Sequence, residues 1–422
     1  MIYKIEDLHF WFSNLIEKSD FQTDWIPLSQ SYFWSLRSGK IVHKSGHFFK
    51  VIGVQFKNSK GKLIEQPLID QREIGTLGFL IREIRGKKEI LVQAKIEPGN
   101  YHIIQIAPTC QATKSNSLRF HGGKEPPFSH LFTKEHPQII SSTLQSEQGS
   151  RFYNKKNRNT LAFASKSIKS PDSHKWMDIN ILLDLLSEDY TVNTDARSVL
   201  VCSPWKELIG RRPFSRFKTV FSKEMEQSYY QKISTPQFRQ IKRDVSSIRH
   251  KKPYKKIISL KKLANWKITD YGVDNLQNNF FRVRHLKVIA KNREVPEWDQ
   301  PIIDSYDKGR VNLICGRIKG VLHFNFSVIT EPGLYNNAEL SPITKDFIHY
   351  PNMRILKSVL QSDEGGRFYQ DTSKYQIIDI GKVDKNIPGY WLNLAQIQHL
   401  ALRSGWFTNE ARSVISLLLG WL

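Results

Sequence analysis

Cysteine is scarce in this chain: Cys110, Cys202 and Cys315 are the whole complement in 422 residues. Three widely spaced thiols make neither a disulfide framework nor a zinc pattern. No apolar run approaches the roughly 20 residues that cross a bilayer, so no membrane partner is expected. The first residues, Met1 to Asp7, lack a basic stretch followed by an apolar core. No secretory signal is expected, and the expected compartment is the reducing cytoplasm. There is no Gly-x-x-x-x-Gly-Lys loop and no Gly-x-Gly-x-x-Gly. Neither a His-Glu-x-x-His pair nor a Gly-x-Ser-x-Gly elbow is present. Dinucleotide-, ATP- and zinc-dependent chemistry is therefore disfavoured. The expectation is a site that runs on side-chain acids and bases, with no cofactor and no metal.

Acidic residues are also under-represented. Sixty-three Lys and Arg against 40 Asp and Glu leave a net charge of +23. Such an excess draws polyanions or concentrates anionic small molecules. Much of it lies in the middle of the chain, around Arg211-Arg212, Arg239, Lys242-Arg243 and Arg249 to Lys252. A solvated basic linker accounts for it better than a binding surface does.

What the chain does have is self-similarity. Trp34 and Trp266 each precede a Phe-Phe-basic-Val run, Phe48 to Val51 and Phe280 to Val283. Gln66-Pro67-Leu68-Ile69-Asp70 answers Gln300-Pro301-Ile302-Ile303-Asp304, and Glu97-Pro98-Gly99 answers Glu331-Pro332-Gly333. After a contraction in the second half, Gln145-Ser146-Glu147 matches Gln361-Ser362-Asp363 and Arg151-Phe152-Tyr153 matches Arg367-Phe368-Tyr369. Ala196-Arg197-Ser198-Val199 likewise matches Ala411-Arg412-Ser413-Val414. A domain-sized period means a duplicated domain rather than a solenoid.

Trp11, Phe12, Leu15 and Ile16 recur at helical spacing and predict an amphipathic helix ending near Asp20. Residues 46–110 alternate in short runs punctuated by Gly86 and Pro98-Gly99, which predicts strands. Residues 176–186 and the stretch from 194 predict helices, with Trp176 and Trp391 opening similar ones. Strands followed by helices, twice over, predict an α+β fold. The expected units are 1–205, a basic and partly helical linker at 206–262, and 263–422.

Residues 91–123 and 145–159 are dense in amides, hydroxyls, arginines and aromatics. That mixture suits a ligand with hydroxyls, a base to stack on and phosphates to pair. Here the chain resembles the NDP-hexose 2,3-dehydratases. The resemblance rests on Gln66-Pro67, Gln71 to Gly75, Gln93-Ala94-Lys95, Glu97 to Asn100, Pro108-Thr109, Gln111-Ala112-Thr113 and Ser115-Asn116. It continues through His121-Gly122-Gly123, Gln145 to Gly149, Lys156 to Asn159 and Glu364 to Tyr369. It implies two tandem Nudix-like domains, a homodimer, and a substrate of the dTDP-4-keto-6-deoxyglucose type. The Glu-rich magnesium helix of a Nudix hydrolase is missing, which disfavours pyrophosphate hydrolysis.

The implied chemistry needs a base near C3, a donor at the C4 ketone and an acid at O2. Lys95 faces Ile329 in the second half, Gln93 faces Ser327, His121 has no counterpart, and Asn157-Arg158 becomes Ser373-Lys374. The active site is therefore expected in the first half, and the second is expected to be a relic or a support. The candidate catalytic residues are His121, Lys95, Glu147 and Tyr153. The candidate substrate-binding residues are Gln93, Asn116, Arg119, Arg151, Phe152, Asn157 and Arg158, with Glu331, Arg367 and Tyr369 as second-half counterparts. The alternative function is a non-catalytic nucleotide-sugar or nucleic-acid binding protein. The nucleic-acid version leaves the repeated motifs and their asymmetry unexplained.

Overall fold

The computed structural model describes residues 1–58, 61–113, 125–133, 136, 138–165, 168–291, 295–344, 353–384 and 386–422. The apolar stripe near the N-terminus forms a helix, Ile5–Ser19, which buries Leu8 and Trp11 and stops at Asp20 in the left-handed region. Alternating segments then form strands. In the first half, Gly75–Ile84 and Lys87–Ile96 are antiparallel neighbours. Lys156–Phe163 runs parallel to the former and pairs with Ile139–Ser146 on its other edge. In the second half Gly309–Ile318, Val321–Ile329, Thr372–Lys382 and Arg354–Ser362 repeat that order, again with one parallel pair. The fold is mixed α+β.

The helix expected over 176–186 begins later. Trp176 lies in a strand, His174–Asp178, opposite Leu91, and the helix is Ile179–Leu185. The boundary is chemical: the Asp178 carboxylate accepts from the Asn180 N–H and caps the helix. Trp391 likewise sits in the strand Tyr390–Leu392, ahead of a helix, Leu394–Ala401, capped by Asn393. The aromatic belongs to the strand and the short polar residue starts the helix.

Two smaller sheets exchange strands. Gln22–Trp25, ahead of the first half's tryptophan, pairs with Phe281–Ile289 of the second. Lys255–Ile258, ahead of the second half's tryptophan, pairs with Lys50–Lys57 of the first. The tryptophans lock the exchange: Trp34 Nε1–H donates to the Asp299 carbonyl at 2.8 Å, and Trp266 Nε1–H to the Glu65 carbonyl at 3.0 Å. The Glu-Pro-Gly turns cross over as well. Gly99 N–H donates to the Gly365 carbonyl and Gly333 N–H to the Gly149 carbonyl, both at 2.7 Å. A Cβ on Gly99 would stand 1.5 Å from the Phe368 carbonyl oxygen, and one on Gly333 would stand 1.6 Å from that of Phe152. Only glycine permits this approach.

The basic middle segment is not a free tether. Its helices, Val220–Tyr229 and Pro236–His250, bury Met225, Phe238, Ile241 and Val245 in the main core. Each such side chain contributes about 1.5–3 kcal/mol. That core also holds helices Thr194–Val201 and Asn409–Ser416 of opposite halves. They are tied by Thr194 to Asn409, Arg412 to Ser198 and Arg197 to Ser416.

Candidate active site

The exchange creates a cavity of about 520 Å³ between the halves, a size suited to a small ligand. The first half supplies Phe33, Trp34, His43, Phe48, Phe49, Gln71, Lys95, Glu97, Gln111, Glu147, Phe152, Lys155, Asn157 and Asp195. From the second half come Trp298, Asp299, Gln300, Glu364, Gly366 and Arg367.

Lys95 ends the strand Lys87–Ile96. Its Nζ donates to the Gln111 carbonyl at 3.1 Å and stands 3.6 Å from Glu97 Oε1. Glu97 Oε1 also faces the Gln111 amide at 3.5 Å. Glu97 is 6 % exposed, and its Oε2 has no hydrogen-bond partner. That is an expensive arrangement for a residue kept only for stability. The Glu147 carboxylate accepts from Asn157 Nδ2–H at 2.5 Å and from Asn409 Nδ2–H, of the second half, at 3.1 Å. Burial raises its pKa, against the pull of Arg412 and Lys155. Asp195, in the first turn of Thr194–Val201, is raised well above the carboxylate range by burial and then by Glu147, Glu364 and Glu97. Glu364 is pushed up to about 7, first by desolvation and then by Glu97, with Arg367 opposing. Lys155 is pushed down, chiefly by burial, and its Nζ donates to the Glu73 carbonyl at 2.8 Å. The cavity thus gathers buried carboxyls whose proton affinities are raised, a recurring feature of acid–base sites.

An aromatic wall lies on the other side. His43 stacks on Phe33 and meets Trp34 and Phe48 edge-on. Burial holds its imidazole below the usual range. The Arg367 guanidinium lies over Phe49 at 4.3 Å, and its Nε–H donates to Gln71 Oε1 at 3.3 Å.

Among the expected site residues, Lys95, Glu147, Phe152, Asn157 and Arg367 line this cavity. His121, Asn116 and Arg119 lie outside the described residues. Tyr153 does not line it; its ring packs on Ile52, Val54 and Leu68, with Arg72 and Lys255 over it. Tyr369 sits equivalently, beside Leu286, Val288 and Ile302. Gln93 lies between Ala107 and His174 in the sheet and Arg158 Nη1–H donates to Ser142, both away from the cavity lining. Arg151 crosses to the other half, over Phe280 and Phe281 at 4.2 and 4.3 Å. There it faces Asp371, Asp363, Glu331 and Glu410, with Glu331 pushed up to about 8 by burial and then Glu410. Sequence reasoning did not single out Glu364, Asp195, Lys155 or His43. The available signal was Gln148 standing opposite Glu364 in a loop that matches at both ends.

The fold and the cavity together define a pocket of ionisable side chains with an aromatic wall, assembled from both halves of an α+β chain. The chain matches the family model for NDP-hexose 2,3-dehydratase over residues 5–203, 246–347 and 344–418, and it belongs to that family. Relatives named dTDP-4-dehydro-6-deoxy-alpha-D-glucopyranose 2,3-dehydratase run almost its full length. The Saccharopolyspora spinosa protein is 30% identical over 98% of this chain and 90% of its own length. The Amycolatopsis orientalis protein is 29% identical with the same coverage. That of Streptomyces violaceoruber is 27% identical over 97% of this chain and 95% of its own.

Proposed function

We propose that this chain is a dTDP-sugar 2,3-dehydratase that removes the C2 hydroxyl of dTDP-4-keto-6-deoxyglucose. Its product is a 3,4-diketo-2,6-dideoxy sugar. The observation that carries the proposal is one cavity joining the Lys95–Glu97 ion pair to an aromatic wall and the Arg367 guanidinium. The aromatic wall suits the nucleobase and Arg367 the diphosphate, since guanidinium pairs with phosphate in a bidentate fashion. Glu97, with Oε2 unpartnered, takes the C3 proton, which is acidified by the C4 ketone. Lys95 stabilises the charge that develops on O4. The electron pair then returns to restore the ketone, the C2–O2 bond breaks, and the enol left at C2 and C3 becomes the diketone. Glu147, fixed by two amides, positions the sugar. Hydride transfer has no part in this sequence.

The two halves are read as copies of a Nudix-like unit, supported by the recurring element order and the matched motifs. The resemblance also carries an expectation of a homodimer. Incubation with dTDP-4-keto-6-deoxyglucose in D₂O, with no metal or nicotinamide added, tests the activity by mass spectrometry. Loss of water with deuterium entering at C2 is expected. Tight binding with no turnover would remove this sugar as the substrate.

A further inference from the structure

The elimination needs a proton for the departing C2 oxygen, and Lys95 and Glu97 are committed to O4 and H3. Glu364 occupies the right kind of position. It lies in the loop after the strand Arg354–Ser362, which crosses over so that its Gly365 carbonyl accepts from Gly99 N–H. Glu364 therefore faces the cavity that carries Lys95, although it comes from the opposite half. A Cβ built on Gly366 would stand 2.5 Å from Glu364 Oε1 and 3.4 Å from Glu97 Oε1. Both carboxyls thus crowd one point beside that glycine, and in the first half the matching position is Ser150.

The asymmetry between the halves runs the same way. Where the second half has Glu364, the first has Gln148, and that glutamine sits beside Asp363 in the other cluster. Lys95 and Lys155 likewise answer Ile329 and Asp371. Lys95 and Lys155 thus lie with Glu364 in one cavity, while the other cluster keeps carboxyls around Arg151.

We propose that Glu364 is a catalytic residue of this cavity, the acid that protonates the C2 hydroxyl as it leaves. The proposal rests on the dehydratase function above. In the step, the C3–H electron pair is released as Glu97 takes the proton, and C2=C3 forms. The C2–O2 bond breaks, its electron pair stays on oxygen, and the Glu364 proton completes the water molecule. The enol then loses its O3 proton and gains one at C2. Exchange with solvent returns Glu364 to its acid form and Glu97 to its carboxylate. Glu97, Glu147, Asp195, Lys95, Lys155 and Arg367 are the charged groups that face Glu364. Its affinity for protons suits a donor at neutral pH.

The test compares the natural substrate with its 2-deoxy-2-fluoro analogue, whose fluoride departs without a proton. In Glu364→Gln, water loss from the natural substrate should fall by about 100-fold or more. Fluoride release should stay within a few-fold of wild type, and exchange of H3 into D₂O should persist. Glu364→Asp, which keeps an acid, should recover part of the water loss. Thermal unfolding of both variants establishes that they are folded. Water loss near wild type in Glu364→Gln would overturn the proposal. So would an equal fall in water and fluoride release in a folded variant, since that marks a role other than the acid. Wild-type enzyme that releases neither would sink the dehydratase function itself, and Glu364's role with it.

Discussion

Substituting Lys95 by alanine removes the ammonium that stands 3.6 Å from Glu97 and leaves the aromatic wall untouched. In the proposed mechanism it acts on O4 as charge develops there, so the loss should appear in kcat rather than KM. Steady-state kinetics of Lys95→Ala should show kcat reduced by about 100-fold or more with KM within a few-fold. A change confined to KM would make Lys95 a binding residue. Lys95 was legible in the sequence because its second-half counterpart is Ile329, and an aliphatic side chain where a cation stood is a loud difference. Glu147 and Asn157 were legible through their motifs. Glu364 was not, because comparing the halves side by side assigns every residue to its own half. Strand exchange breaks that assignment, and it sends Arg367 into this cavity and Arg151 out of it.

At the scale of elements, the crossing Glu-Pro-Gly turns hold the two halves in register. Gly99→Ala would drive a methyl to 1.5 Å from the Phe368 carbonyl oxygen, which is backbone and cannot swing aside. Relieving that clash means withdrawing the turn that donates to Gly365 and accepts from Gln370. The expected cost is about 4 kcal/mol or more, beyond the usual range for a point substitution. Urea unfolding of Gly99→Ala should show a lowered midpoint; a midpoint within 1 kcal/mol of wild type, as a rough bound, would refute the close approach. The strands were legible from alternation and from punctuation by Gly86 and Pro98-Gly99. The misplaced helix start at Trp176 shows what periodicity misses. An apolar run that crosses from strand to helix keeps its hydrophobicity, and only the capping Asp178 marks the change. Strand exchange leaves no local trace at all, since Gln22–Trp25 and Lys255–Ile258 read as strands whichever half they pair with.

At the scale of the whole molecule, buried carboxyls and net charge make opposite demands on stability. Burial first of all raises Glu331 to about 8, Glu339 and Glu364 to about 7, and Asp363, Asp371, Glu147 and Asp195 above their ordinary values. A carboxyl raised in the folded state binds its proton more tightly there than in the unfolded chain. Its contribution is complete below the unfolded pKa and is lost as pH rises through the folded one. Histidines act the other way: His174 is pushed down to about 4, and His43, His323 and His399 are also lowered, by burial. Their window closes near 6.5, the ordinary value for imidazole. Lys357, lowered to about 8, begins to matter only above that. Between about pH 6.5 and pH 8 the raised carboxyls outnumber the lowered Lys155 and Lys255 that oppose them, and unfolding free energy should fall by roughly 1 kcal/mol or more across it. Glu331→Gln should flatten the slope, as read by urea unfolding at several pH values. Net charge predicts the reverse sign, because a chain at +23 loses self-repulsion as protons leave. A stability that rises over this interval would show long-range repulsion outweighing the cost of ionising carboxyls in the two clusters. A fall would place control of stability in the same buried acids that the exchange of segments between the halves brings together.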